Sequence, residues 1–154
     1  MTAISFFIPG APVAQPRQRH RIMQGKSGAS FVSNYTPAKD PVNAFKAAAR
    51  LAASAAWSGG PIVGPVEMNV SYLMPRPKNH YRTGKHAGSL KPDAPRMHTS
   101  KPDRDNLEKA LKDALKGICW LDDSQVCDGR SQKLYALEAE TPGVQVEIKP
   151  LEQQ

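Results

Sequence analysis

Apolar positions along the chain change period several times, and each change marks an element. Ile4 to Ile8 is a short apolar run closed by Pro9-Gly10, which predicts a strand and a turn. Phe31 to Tyr35 reads as a second short strand. From Pro41, a residue suited to the first helical position, Val42, Phe45, Ala48, Ala49, Ala52 and Ala56 recur at helical spacing up to the break at Gly59-Gly60-Pro61. Val66, Met68, Val70, Tyr72 and Met74 then alternate with Glu67, Asn69, Ser71 and Leu73, the period of a half-buried strand, which ends at Pro75. Residues 76 to 101 lose all periodicity and predict a long loop. A second helix is expected to open near Pro102 and run to about Lys116, where Gly117 stops it. Its apolar stripe, Leu107, Ala110, Leu111, Ala114, Leu115 and Ile118, is spaced to face a sheet. Lys133 to Leu137 and Val144 to Ile148 read as strands, with Thr141-Pro142-Gly143 turning between them. This order predicts a small α/β (α+β) domain in which two main helices pack on a mixed sheet of about four or five strands.

At 154 residues the chain has the length of one domain, and residues 1–154 are read as such. No apolar run approaches the roughly 18 residues needed to cross a membrane, and MTAISFFIPG lacks the basic start of a signal peptide. A cytoplasmic location without membrane association is expected. Cys119 and Cys127 are eight positions apart and the four histidines lack zinc-ligand spacing, so reduced thiols and no structural zinc are expected.

Charge changes the picture more than composition does. The formal net charge is +7, which points to a polyanionic partner. Residues 1 to 39 contain no acid, and up to residue 102 the only acids are Asp40, Glu67 and Asp93. Asp103, Asp105, Glu108, Asp113, Asp122, Asp123 and Asp128 then follow one another closely. Neighbouring carboxylates repel unless a cation or hydrogen bonds hold them, so this clustering marks a candidate site. Two basic segments frame it. One is a proline-marked arm or hairpin at about 12–30, where Arg17, Arg19, Arg21 and Lys26 are candidate phosphate contacts. The other is the 76–101 loop, with Arg76, Lys78, Arg82, Lys85, Lys91, Arg96 and Lys101 against the single acid Asp93. Lys101, next to the acidic run, is a further candidate phosphate contact.

At 100° per residue, Asp105 and Lys109 both fall opposite the buried stripe centred on Leu107, one turn apart. Asp103 sits just before or within the first turn, where the helix dipole favours an anion. Trp120-Leu121 anchors a turn that can deliver Asp122 or Asp123 to the same place. Hard divalent cations take such oxygen ligands, and a pair of ions can activate water and stabilise the leaving oxygen of a displacement at phosphorus. Lys109 is placed to neutralise charge on the transition state. The simpler reading is a surface salt pair, Asp105 with Lys109, and a dipole-favoured Asp103. His98 is left out of the catalytic set, and Trp57, Trp120 and Cys119 are read as packing residues.

The run KPDRDNLEKALKDALKGICWLDDSQV resembles the core of the RusA-type Holliday junction resolvases, endodeoxyribonucleases common in phages and prophages. The resemblance covers residues 101 to 128, with weaker support at Pro12 to Arg19. It implies catalytic, metal-holding carboxylates at Asp103, Asp105 and Asp123, a catalytic lysine at Lys109, and a turn role for Asp122. It also implies a magnesium-dependent reaction, with manganese as the alternative ion, and a homodimer that resolves four-way DNA junctions by paired nicks in DNA recombination and repair. Rival readings are a phage nuclease for flaps or forks and a non-catalytic basic DNA-binding module.

Overall fold

A computed structural model describes residues 2–17 and 19–154; Met1, and Gln18 within the basic arm, lie outside the described residues. The strands are β1 (Ile4–Pro9), β2 (Arg19–Gln24), β3 (Ser30–Tyr35), β4 (Val66–Met74), β5 (Val126–Asp128), β6 (Ser131–Tyr135) and β7 (Gly143–Pro150). The helices are α1 (Pro41–Ala56) and α2 (Arg104–Leu115).

Five strands form one mixed sheet. Central β4 pairs antiparallel with β7 from Val66↔Pro150 to Leu73↔Gly143, and β7 pairs antiparallel with edge strand β1. Along its other side β4 runs parallel to β5 at its start and to β6 from Val70↔Ser131 to Met74↔Tyr135. Alternation then decides which residues are covered. Met68, Val70, Tyr72 and Met74 face the helices with Ile4, Phe6, Ile8, Val144, Val146 and Ile148. Val42, Phe45, Ala49 and Ala53 of α1, and Leu107, Ala110, Leu111, Ala114 and Leu115 of α2, complete that core. Small alanines at the contact let the two helices lie close, tied by Lys46 Nζ on Asp113 at 2.6 Å and by Arg50 donating to the Ala114 carbonyl at 3.1 Å.

β2 and β3 form a separate two-stranded ribbon in which every residue of β2 is exposed. Cross-strand partners Ile22 and Val32 are 78% and 65% exposed. The expected basic arm is therefore a ribbon with no covered face among the described residues.

Two sequence expectations need correction. The second helix begins at Arg104 rather than near Pro102, because Asp103 takes the extended backbone of an N-cap (φ −68°, ψ 143°). The strand expected from Lys133 to Leu137 is Ser131–Tyr135, its register set by β4, and β5 is too short at three residues for periodicity to reveal. The 76–101 stretch is the expected long loop, held in place by its side chains. It contains short 3-10 turns at Lys78–His80 and Gly84–His86. Arg76 donates to the carbonyls of Ala136 (2.6 Å) and Pro95 (2.7 Å), and Arg96 to the Tyr135 carbonyl (2.6 Å) and Glu140 (3.0 Å).

Among the described residues no helix is long and apolar enough to cross a membrane. Both cysteines are free; Cys119 is fully buried, and burial pushes its thiol up to about 11, while Cys127 is exposed. A thiol reagent at neutral pH is expected to modify one cysteine per chain, Cys127, and to reach Cys119 only after denaturation, as peptide mass mapping will report.

Candidate active site

The start of α2 is fastened from two sides, which fixes where its polar face points. Arg104 donates to the Ser131 carbonyl of β6 at 2.9 Å. Lys133, also on β6, donates to the carbonyls of Ser100 and Pro102 at 2.5 and 2.7 Å, holding the approach to Asp103. The Lys101–Pro102 peptide bond is cis. From the other side, the Gln15 backbone N–H donates to the Asn106 carbonyl at 2.9 Å, so the base of the basic arm is attached to the same turn.

Asp103 occupies the N-cap but its side chain makes no capping bond, which leaves an exposed carboxylate with free lone pairs beside the helix N-terminus. Asp105 and Lys109 project from the exposed face, as the helical spacing requires. Lys109 Nζ lies 3.9 Å from Asp105 Oδ2, with side chains 65% and 70% exposed. A pair this exposed adds little stability, and its accessible groups remain open to a ligand.

Asp123 is held differently. Trp120 is fully buried and its indole N–H donates to Asp123 Oδ1 at 2.9 Å, so one carboxylate oxygen is fixed by a core residue. Asp123 lines a cavity of about 460 Å³ with Lys109, Lys112, Asp113, Lys46 and Gln15. Lys109 thus meets Asp105 on one side and shares a cavity wall with Asp123 on the other. Among the described residues, no three carboxylate, histidine or cysteine side chains gather closely enough to hold a metal ion. Asp103, Asp105 and Asp123 therefore form no such cluster. Their chemistry fits a hard cation all the same, because Asp103 and Asp105 offer carboxylate oxygens free of short hydrogen bonds.

Asp122 does other work. Its carboxylate accepts from Ser124 N–H (3.1 Å) and Ser124 Oγ–H (2.5 Å) and pairs with Lys116 at 3.0 Å. Gln125 closes the capping box by accepting from the Leu121 and Asp122 N–H groups, each at 2.8 Å, and donates to the carbonyls of Ile62 and Gly64. The turn that carries Asp123 is thereby pinned to the strand-like segment at Ile62.

A second and larger cleft, about 820 Å³, opens between the first turns of α2 and β6. Asp105 and Glu108 line it from the helix, Ser131 and Lys133 from β6, and His98 from the end of the 76–101 stretch. Sequence reasoning counted Glu108 among the clustered acids but gave it no role in the site, and it gave none to Ser131 of this cleft or to Gln15 of the Asp123 cavity. For Gln15 a signal existed in the Pro12 to Arg19 run; for Glu108 it was the i,i+3 spacing from Asp105 on the same helix.

Of the candidate DNA contacts, Arg19 and Arg21 stand on β2 and Lys26 in the turn beyond it, all exposed. The Arg21 guanidinium stacks over the Tyr35 ring at 5.0 Å. Arg17 and Lys101 are exposed at the base of the arm and beside Asp103.

The family model described as endodeoxyribonuclease RusA matches residues 9–149. The chain belongs to the RusA endodeoxyribonuclease family. It is also 38% identical over 154 residues to the uncharacterized protein YqaN of Bacillus subtilis (strain 168), covering 97% of each chain.

The Ser124 and Lys116 contacts hold the Asp122 carboxyl at about 2, below its ordinary value of 3.8. A carboxyl depressed in the folded state adds stability above its unfolded pKa and loses it as pH falls through the folded value. Asp122→Ala is therefore expected to lower the midpoint of chemical denaturation at neutral pH. The gap to the parent protein should narrow between about pH 4 and pH 2, whereas a constant gap would mean the carboxylate charge contributes nothing.

Proposed function

We propose that this RusA-family protein is a metal-dependent endodeoxyribonuclease that resolves four-way DNA junctions by paired, symmetric nicks, acting as a cytoplasmic homodimer in recombination or repair. The observation that carries the reading is Lys109, which meets Asp105 and faces the same cavity as Asp123, beside an exposed basic ribbon rooted at Gln15. Family membership supports the nuclease chemistry. The choice of junctions over other DNA rests on the resemblance at residues 101 to 128.

In this reading Asp103, Asp105 and Asp123 would hold magnesium, or manganese in its place, and the ion when bound supplies the charge that makes water nucleophilic near neutral pH. Water oxygen forms the new bond to phosphorus as the bond to the departing sugar oxygen breaks. The Lys109 ammonium offsets negative charge on the phosphoryl oxygens at that moment. Trp120 keeps Asp123 oriented, and the Asp122 to Gln125 turn keeps Trp120 and Asp123 in register with α2. Arg17, Arg19, Arg21, Lys26 and Lys101 hold backbone phosphates and position the strand. Two-fold symmetry would present one such site to each of two opposed strands.

One observation favours a non-catalytic DNA-binding module instead: the absence, among the described residues, of three metal-ligating side chains in one cluster. A magnesium titration with a mobile four-way junction and a matched linear duplex separates the readings. Metal-dependent nicking of the junction is expected, and Asp103→Asn, Asp105→Asn and Asp123→Asn should each reduce it at least about a hundredfold while junction binding persists. Undiminished nicking in these variants would remove the site assignment, and equal cutting of the duplex would remove the junction.

Replacing Arg19, Arg21 or Lys26 singly by Ala is expected to weaken binding uniformly across sequences. Each change should also flatten the slope of log K against log salt by about one, as fluorescence anisotropy at several salt concentrations will measure.

A further inference from the structure

The cations of the 76–101 stretch divide into those that hold the fold and those it leaves free. Arg76 and Arg96 are bonded to backbone carbonyls, and Arg96 also to Glu140. Lys78, Arg82, Lys85 and Lys91 are all exposed, and none of them forms an ion pair among the described residues. Like charges gathered on one short segment repel one another, a cost that a polyanion bound across them removes.

The segment that carries the free cations has a shape of its own. Tyr81 and Leu90 form an antiparallel bridge. Beside it the Arg82 N–H donates to the Ser89 carbonyl at 2.7 Å and the Lys91 N–H to the His80 carbonyl at 2.9 Å. Gly84 and Gly88, both at positive φ, turn the tip between these limbs. At the neck, the buried ring of Tyr135 on β6 meets His80 edge-on at 4.7 Å and the Arg76 guanidinium at 5.3 Å. Lys78, Arg82, Lys85 and Lys91 thus stand on a clasp whose backbone is already folded, so a ligand meets their charge without having to order the chain.

Among the described residues no large hydrophobic side chain is exposed between 75 and 96, so the clasp lacks the apolar anchors of a protein-binding surface. Four unpaired cations on a polar surface fit the phosphates of a nucleic acid. The chain beyond the clasp leads to the candidate site. Arg96 and His98 bond along β6 at Tyr135 and Lys133, and Arg104 at the start of α2 bonds to Ser131 of the same strand. Ser131–Tyr135 is five residues long, about 13 Å between its ends, or roughly four base pairs of duplex at about 3.4 Å each. The ribbon, by contrast, is rooted at Asn106 through Gln15. We propose that the clasp, residues 78–91, is a second phosphate-binding surface that holds DNA backbone about four base pairs or more from the nicked phosphate, apart from the contacts of the ribbon. The proposal rests on the nuclease reading for the identity of the polyanion. Holding DNA at two separated places fixes its direction through the site, which a single contact surface leaves free to swing.

The test uses the full chain and a four-way junction, with Kd measured by fluorescence anisotropy without metal at several salt concentrations. One variant combines Lys78→Gln, Arg82→Gln, Lys85→Gln and Lys91→Gln. A second keeps the charge through Lys78→Arg, Arg82→Lys, Lys85→Arg and Lys91→Arg. Neutralising all four is expected to raise Kd at least about tenfold and to flatten the slope of log K against log salt by about three to four, while the charge-keeping variant follows the parent. Ethylation of individual junction phosphates then locates the contact. Ethyl groups about four base pairs or more from the nick should weaken binding of the parent and leave the neutralised variant indifferent, whereas those nearest the nick should weaken both. An unchanged slope, an equal loss in the charge-keeping variant, or the same ethylation pattern in parent and neutralised variant would each overturn the proposal. Absence of nicking by the parent with magnesium would sink the nuclease reading alone, because binding is read without metal.

Discussion

Seating α2 on the sheet through Leu107, Ala110, Leu111, Ala114 and Leu115 is the contact on which the candidate site depends. Burying five apolar side chains along one stripe leaves the helix a single rotational setting, since any turn about its axis would expose leucine and bury charge. Once that setting is taken, Asp105, Glu108 and Lys109 have no choice but to face outward. The chemistry is thus placed by the residues that take no part in it.

The same economy appears at the edges of the site. Lys133 and Arg104 use cationic side chains to satisfy backbone carbonyls at the helix entry, where the chain would otherwise be loosely held. Trp120 is at once a fully buried core residue and the donor that orients Asp123. Asp122, its neighbour, is consumed by the turn. Two adjacent aspartates of identical chemistry therefore differ in availability, because one is saturated with local hydrogen bonds and the other has an oxygen left over.

Much of the fold was legible because its central elements repeat cleanly. The alternation from Val66 to Met74 spans β4 from end to end, broken only by the buried Leu73, and the stripe from Leu107 to Leu115 is the buried face of α2. Asp122 as a turn residue also agrees with the capping box. What could not be read depends on contacts far apart in the chain. The register of β6 comes from β4, some sixty positions earlier in sequence, and the 76–101 stretch is shaped by Arg76 and Arg96 reaching carbonyls that no local pattern reveals.

The β2–β3 ribbon has a consequence of a different kind. A two-stranded hairpin without a covered face is marginal in water, since its cross-strand pairs such as Ile22 with Val32 gain little from partial contact. Its backbone amides should exchange with solvent much faster than those of the β4–β7 ladder, making it the region of lowest local stability. Any partner that grips the ribbon must then supply the free energy of ordering it. That cost lowers affinity for every partner alike, and it leaves discrimination to those whose shape engages both strands at once.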